Sequence, residues 1–132
     1  FKVECLAASF YETVKAMDFA LVASGTATLE TALIGTPFFV LYKASWSTYF
    51  LGKRLIKVPY LGLVNLLAED RVVPEFIQQD AHPETLAHEA KVFLQSSELQ
   101  QKMKEEFRQV REKLGEKGAS ARAAKEVVNL LG

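Results

Sequence analysis

The sequence predicts an α/β protein built on a parallel sheet, and three observations carry that reading. Apolar runs of strand length, Phe19 to Ala23 and Phe38 to Tyr42, alternate with amphipathic stretches of helix length from residue 1 to about 68. Ser24-Gly25-Thr26 cuts the first run off abruptly, and a helical pattern follows. Gly35 and Pro37 then close that helix immediately before the second run, because glycine suits the residue after a helix and proline forbids its continuation.

Taken in order, Phe1 to Cys5 alternates like a strand, and an amphipathic helix is predicted around Ala8 to Met17. The run Phe19 to Ala23 reads as a parallel strand buried on both faces, followed by a helix over 27–34 and a strand over 38–42. A further helix is expected from Ser45 to Lys57; Gly52 and its aromatic and β-branched content make it weak in isolation, so docking must hold it. Beyond Arg71 the pattern is almost purely helical. His82-Pro83-Glu84 marks a start with proline near the first position, and Leu86, Ala90, Phe93 and Leu94 share an apolar face. Ser96 or Ser97 restarts the helix, Met103, Phe107, Val110 and Leu114 recur at spacings of three and four, and Gly115 and Gly118 interrupt before a last helix from about Ala119 to Leu131. One domain is expected, with residues 1–68 carrying the sheet and 69–132 forming a helical C-terminal tail.

Composition bounds the function. With 132 residues, 49% of them hydrophobic, the chain can bury a core. Sixteen basic and sixteen acidic residues cancel, which argues against nucleic acid as a partner and requires any anion site to be local. The lone Cys5 excludes an internal disulfide and reads as a small core hydrophobe, and the apolar runs fall short of a membrane span. A reducing, cytoplasmic setting is expected, and the chain, which opens on Phe1 without a leader pattern, reads as a fragment. His82 and His88 read as surface residues at the entry to a helix, and neither a metal nor a cofactor is expected.

The Ser24-Gly25-Thr26 turn is the candidate for chemistry, and its other reading is a common strand-to-helix connection that merely packs well. The first N–H groups of a helix have no partner within it, and the dipole places roughly half a positive charge there. Gly25 lets an anion such as phosphate approach the backbone, while the hydroxyls of Ser24 and Thr26 offer further donors. Glu30, four residues after Thr26, shares a helix face with it. Two readings of Glu30 stand: a carboxylate that accepts hydrogen bonds from the two hydroxyls of a ribose, or a solvated side chain near a favourable dipole.

Ala23-Ser-Gly-Thr-Ala-Thr-Leu-Glu30, with Gly35-Thr-Pro37 and an apolar strand ending in Tyr42, resembles the C-terminal domain of GT-B glycosyltransferases. More narrowly, the chain is similar to the lipid-A-disaccharide synthases, a likeness that extends through Leu51-Gly-Lys-Arg-Leu55, Val58-Pro-Tyr-Leu-Gly-Leu-Val-Asn-Leu-Leu-Ala68 and the helical tail. The resemblance implies part of a Rossmann-like domain of a membrane-associated inverting transferase. That enzyme moves 2,3-diacylglucosamine from UDP onto 2,3-diacylglucosamine 1-phosphate to form the β-1,6-linked disaccharide. Carried over, Ser24, Gly25 and Thr26 would meet the diphosphate, Glu30 the ribose, and Asn65 either substrate at an interdomain cleft. Arg71 departs from the family's spacing, and a surface ion pair with Asp70 or Glu75 explains it equally well. The family's N-terminal domain and catalytic carboxylate are not in this sequence, so the chain is expected to hold part of a donor site and no catalytic residue.

A second feature bears on lipid. Trp46, Tyr49, Phe50, Lys53 and Arg54 crowd into one segment, a mixture that suits a membrane interface and suits equally an amphipathic helix packed on the sheet with a basic outer face. A peripheral place on the inner face of the cytoplasmic membrane and a homo-oligomer are expected. Two alternatives stay open: another UDP-sugar enzyme, such as a UDP-N-acetylglucosamine epimerase or a peptidoglycan glycosyltransferase, and a non-enzymatic interaction module using the charged tail.

Overall fold

A computed structural model of the chain describes residues 3–4, 9–43, 59–115 and 118–131. In chain order the elements are α1 (Phe10–Lys15), β1 (Ala20–Ala23), α2 (Thr26–Ile34), β2 (Phe38–Tyr42), α3 (Leu63–Ala68), β3 (Glu75–Ile77), α4 (Pro83–Gln95), α5 (Ser97–Leu114) and α6 (Ala119–Leu131). The three strands form one parallel sheet in the order β1-β2-β3, with Ala20 opposite Phe38 and Val40 opposite Glu75.

The sheet therefore extends past the point where the sequence pattern turns almost purely helical. Glu75–Ile77 forms a third strand, reached through α3. Three residues are too few for a period to emerge, and Pro74 masks the start; the strand exists because Val40 N–H finds the Pro74 carbonyl at 2.9 Å and Gln78 N–H finds Tyr42 at 2.8 Å.

The core lies around β2. Its alternation sends Phe38 to one face, stacked on Phe107 of α5 with ring centroids 5.5 Å apart, and Phe39 to the other, where it meets Phe93 of α4 at 5.5 Å and Phe76 of β3 at 5.4 Å. Met103, Phe107 and Val110, spaced at helical intervals, are the buried stripe of α5. Two cations of that helix end on the carbonyl termini of neighbours: Lys113 Nζ donates to Ala68 of α3 at 2.9 Å, and Arg111 donates to Leu33 of α2.

β1 departs from the expectation of burial on both faces. It is an edge of the described sheet and alternates between half-buried and exposed residues, with Leu21 50% exposed. Gly35 closes α2 at φ +95°, in keeping with the sequence pattern. Val3 and Glu4 lie in no strand, while the rest of the first expected strand, including Cys5, and the segment with Trp46, Tyr49, Phe50, Lys53 and Arg54 fall outside the described residues. Among those described, no helix is long and apolar enough to cross a membrane.

Candidate functional site

The carboxyl edge of the sheet is where β1 gives way to α2. Ser24 N–H still belongs to the ladder, donating to Leu41 at 3.0 Å, and the chain then turns sharply at Gly25, whose φ of +149° is open only to glycine. A Cβ built on Gly25 would meet nothing within 4 Å, so packing does not demand glycine here; the backbone conformation does. Thr28 N–H reaches back to the Gly25 carbonyl at 3.2 Å, and no side chain caps the helix. Among the described residues, the N–H groups of Gly25, Thr26 and Ala27 have no protein partner. Three adjacent donors at an exposed turn, on the positive end of a helix, make a cradle of the kind that takes an anion.

The hydroxyls contribute unequally. Ser24 Oγ donates to the Leu61 carbonyl at 2.9 Å, so in this structure its proton is taken up by the protein. Thr26 is exposed at the head of α2. Glu30 is exposed one turn further on and borders a shallow, mostly apolar groove with Phe10, Tyr11, Leu33 and Ile34.

Asn65 and Arg71 are placed differently from expectation. The Asn65 side chain is fully buried and spent on the protein: Nδ2 donates to the Val73 carbonyl and to Glu75 Oε1, both at 2.9 Å, and Oδ1 accepts from Val73 N–H at 2.9 Å. It joins α3 to β3 rather than facing a cleft. Arg71 follows α3 and precedes β3, which puts it at the edge where the parallel strands begin, opposite to the Gly25 turn. There it lines a cavity of about 220 Å³ with Phe93, Met103, Lys102, Glu89 and Glu106, and its guanidinium pairs with neither Asp70 nor Glu75.

Two residues to which the sequence assigns no role at the turn organise it. Thr28, fully buried, donates through Oγ1 to the Gly25 carbonyl at 2.7 Å and accepts from Leu63 N–H at 3.2 Å. Glu75 accepts from Leu61 N–H at 2.9 Å and from Gly62 N–H at 2.8 Å. A buried threonine reads in sequence as an ordinary helix residue, and the glutamate belongs to a strand too short to show a period. His82 Nδ1 lies 2.8 Å from Glu84 on the exposed entry to α4, and no group of three or more metal-ligating side chains occurs among the described residues.

Fold and turn together define a Rossmann-like α/β arrangement with three backbone N–H groups, unpartnered among the described residues, at its β1–α2 junction. The family model described as Lipid-A-disaccharide synthetase matches residues 1–128, and the chain belongs to that family. Relatives named lipid-A-disaccharide synthase include those of Sulfurihydrogenibium sp. (strain YO3AOP1), 44% identical over 92% of this chain and 31% of the relative, and Syntrophus aciditrophicus (strain SB), 44% identical over 98% and 34%. The protein of Persephonella marina (strain DSM 14350 / EX-H1) is 43% identical over 86% of this chain and 30% of its own length. The chain thus spans about a third of the length of these curated relatives.

Proposed function

We propose that this chain supplies the UDP-holding part of a hexosyltransferase that moves 2,3-diacylglucosamine from UDP to 2,3-diacylglucosamine 1-phosphate, forming the β-1,6 lipid A disaccharide. Membership of the lipid-A-disaccharide synthetase family sets the reaction class. The observation that carries the reading of the site is the exposed Gly25 turn, with three N–H groups at the head of α2 that have no partner among the described residues.

Inversion at a sugar carbon needs a base on the acceptor hydroxyl and stabilisation of the departing UDP. The cradle suits the second role, since backbone donors already aimed at the diphosphate meet the charge that develops there without reorganising. Thr26 adds a hydroxyl, and Glu30 accepts from the ribose. Asn65, its amide engaged within the protein, and Arg71, at the far edge, have no part in this reading. The base and the acceptor site belong to an N-terminal domain of the kind the family resemblance implies. A peripheral position on the cytoplasmic side of the membrane completes the proposal, supported by the lipid nature of both substrates and by the basic and aromatic residues between Lys43 and Lys57.

Amide NMR of the chain titrated with UDP, and separately with uridine, tests it. UDP should displace the Gly25, Thr26 and Ala27 amide signals, with uridine moving them far less. UDP shifts confined to other regions would remove the diphosphate from this turn.

A further inference from the structure

We propose that Glu75 is a positioning residue for the Gly25 turn, acting through the backbone of Leu61, Gly62 and Leu63. The inference rests on reading that turn as the diphosphate site.

The segment 61–63 is held from two sides. On one, the Glu75 carboxylate takes Leu61 N–H on Oε2 and Gly62 N–H on Oε1, while Asn65 Nδ2 donates to the same Oε1 at 2.9 Å. On the other, the Leu61 carbonyl accepts the Ser24 hydroxyl, and Leu63 N–H donates to the Thr28 hydroxyl that holds the Gly25 carbonyl. The cradle's position therefore depends on where 61–63 stands, and Glu75 holds that segment from β3, two strands away from β1. Among the described residues no cation pairs with this half-buried carboxylate; three N–H donors carry its charge. Asn65 holds it in turn, with its other contacts on Val73. Both side chains emerge from elements beside the turn rather than from the turn itself, an arrangement in which geometry is imposed from outside the ligand's reach.

Glu75→Gln keeps the size of the side chain but turns an NH₂ group against one of the donors. In the ligand-free chain it should displace the Ser24 to Ala27 amide signals, and it should weaken UDP roughly tenfold by misplacing the cradle. Thr28→Val, which severs the same link at its other end, should also weaken UDP, whereas Thr28→Ser, retaining the hydroxyl, should not. Combining Glu75→Gln with Thr28→Val should cost little more than the worse single change, because both break one path. Wild-type UDP affinity in Glu75→Gln, or losses that multiply in the double variant, would overturn the proposal. If Glu75→Gln does not fold, the threonine pair decides: wild-type affinity in Thr28→Val overturns it. If the unaltered chain shows no UDP shift at the turn, the reading of the site has failed instead. The ligand-free shifts of Glu75→Gln then decide alone, and their absence at Ser24 to Ala27 overturns the coupling.

Discussion

The Glu75 carboxylate and Gly62 stand so close that a Cβ on Gly62 would meet Oε1 at 3.2 Å and Val40 at the same distance, although the backbone at Gly62, with φ −78°, would accept any residue. Space, not conformation, selects glycine there. Gly62→Ala should therefore destabilise the chain by about 1–3 kcal/mol through overpacking, read as a lower denaturation midpoint in urea with unchanged slope. An unchanged midpoint would mean that Glu75 and Val40 yield at no cost.

Gly25 presents the opposite case. At φ +149° with open space around it, Gly25→Val should lose about 1–3 kcal/mol to backbone strain and leave the core intact. UDP binding should vanish, since the branched side chain occupies the approach to the cradle. A folded Val variant with normal UDP affinity would place the phosphates elsewhere.

Glu30→Ala should separate binding from stability. The side chain is exposed and outside the core, so melting should move little, while two lost charge-assisted hydrogen bonds to ribose are each worth about 1.5–3 kcal/mol. Calorimetric titration with UDP beside thermal melts gives both quantities; undiminished affinity would make Glu30 a solvated helix residue only.

Burial holds the Glu106 carboxyl above the usual carboxylate range, against the pull of Lys102 and with Asp70 adding to the push. In the window between its ordinary value and the raised one, the folded chain binds more protons than the unfolded. The stabilisation is thus complete at low pH and lost as pH rises through the window. Glu106→Gln should raise the melting temperature by roughly 1–3 °C at pH 7 and confer nothing below the window. A lower melting temperature at pH 7 would show that the 3.9 Å contact with Lys102 outweighs burial.

The edge that β1 forms in the described sheet, with Leu21 half exposed, and the bare apolar residues Val127, Val128 and Leu130 of α6 predict self-association of the 132-residue chain. Sedimentation over a concentration series should show a mass that rises with concentration. A monodisperse monomer with a cooperative melt would contradict this.

Local chemistry is legible in the sequence wherever a few adjacent residues decide the outcome. The Ser24-Gly25-Thr26 break, the helix end at Gly35 and Pro37, the start at His82-Pro83 and the buried stripe of Met103, Phe107 and Val110 all follow from φ preferences and from periods of two or 3.6, which neighbouring residues carry by themselves. What lies beyond reach is pairing across long separations. Glu75–Ile77 is a strand because β2 offers it a partner, β1 is half exposed because it stands at the edge of the described sheet, and Ser24 spends its proton on a carbonyl 37 residues away. Asn65 and Arg71 enter the site reading by likeness of motif, and the crossover through α3 sends one into the interior and the other to the opposite edge of the sheet. Residue type and spacing determine which groups can hydrogen-bond or strain a backbone; only the tertiary fold determines which partner each group meets, because a buried donor must take whichever acceptor the packing brings to it.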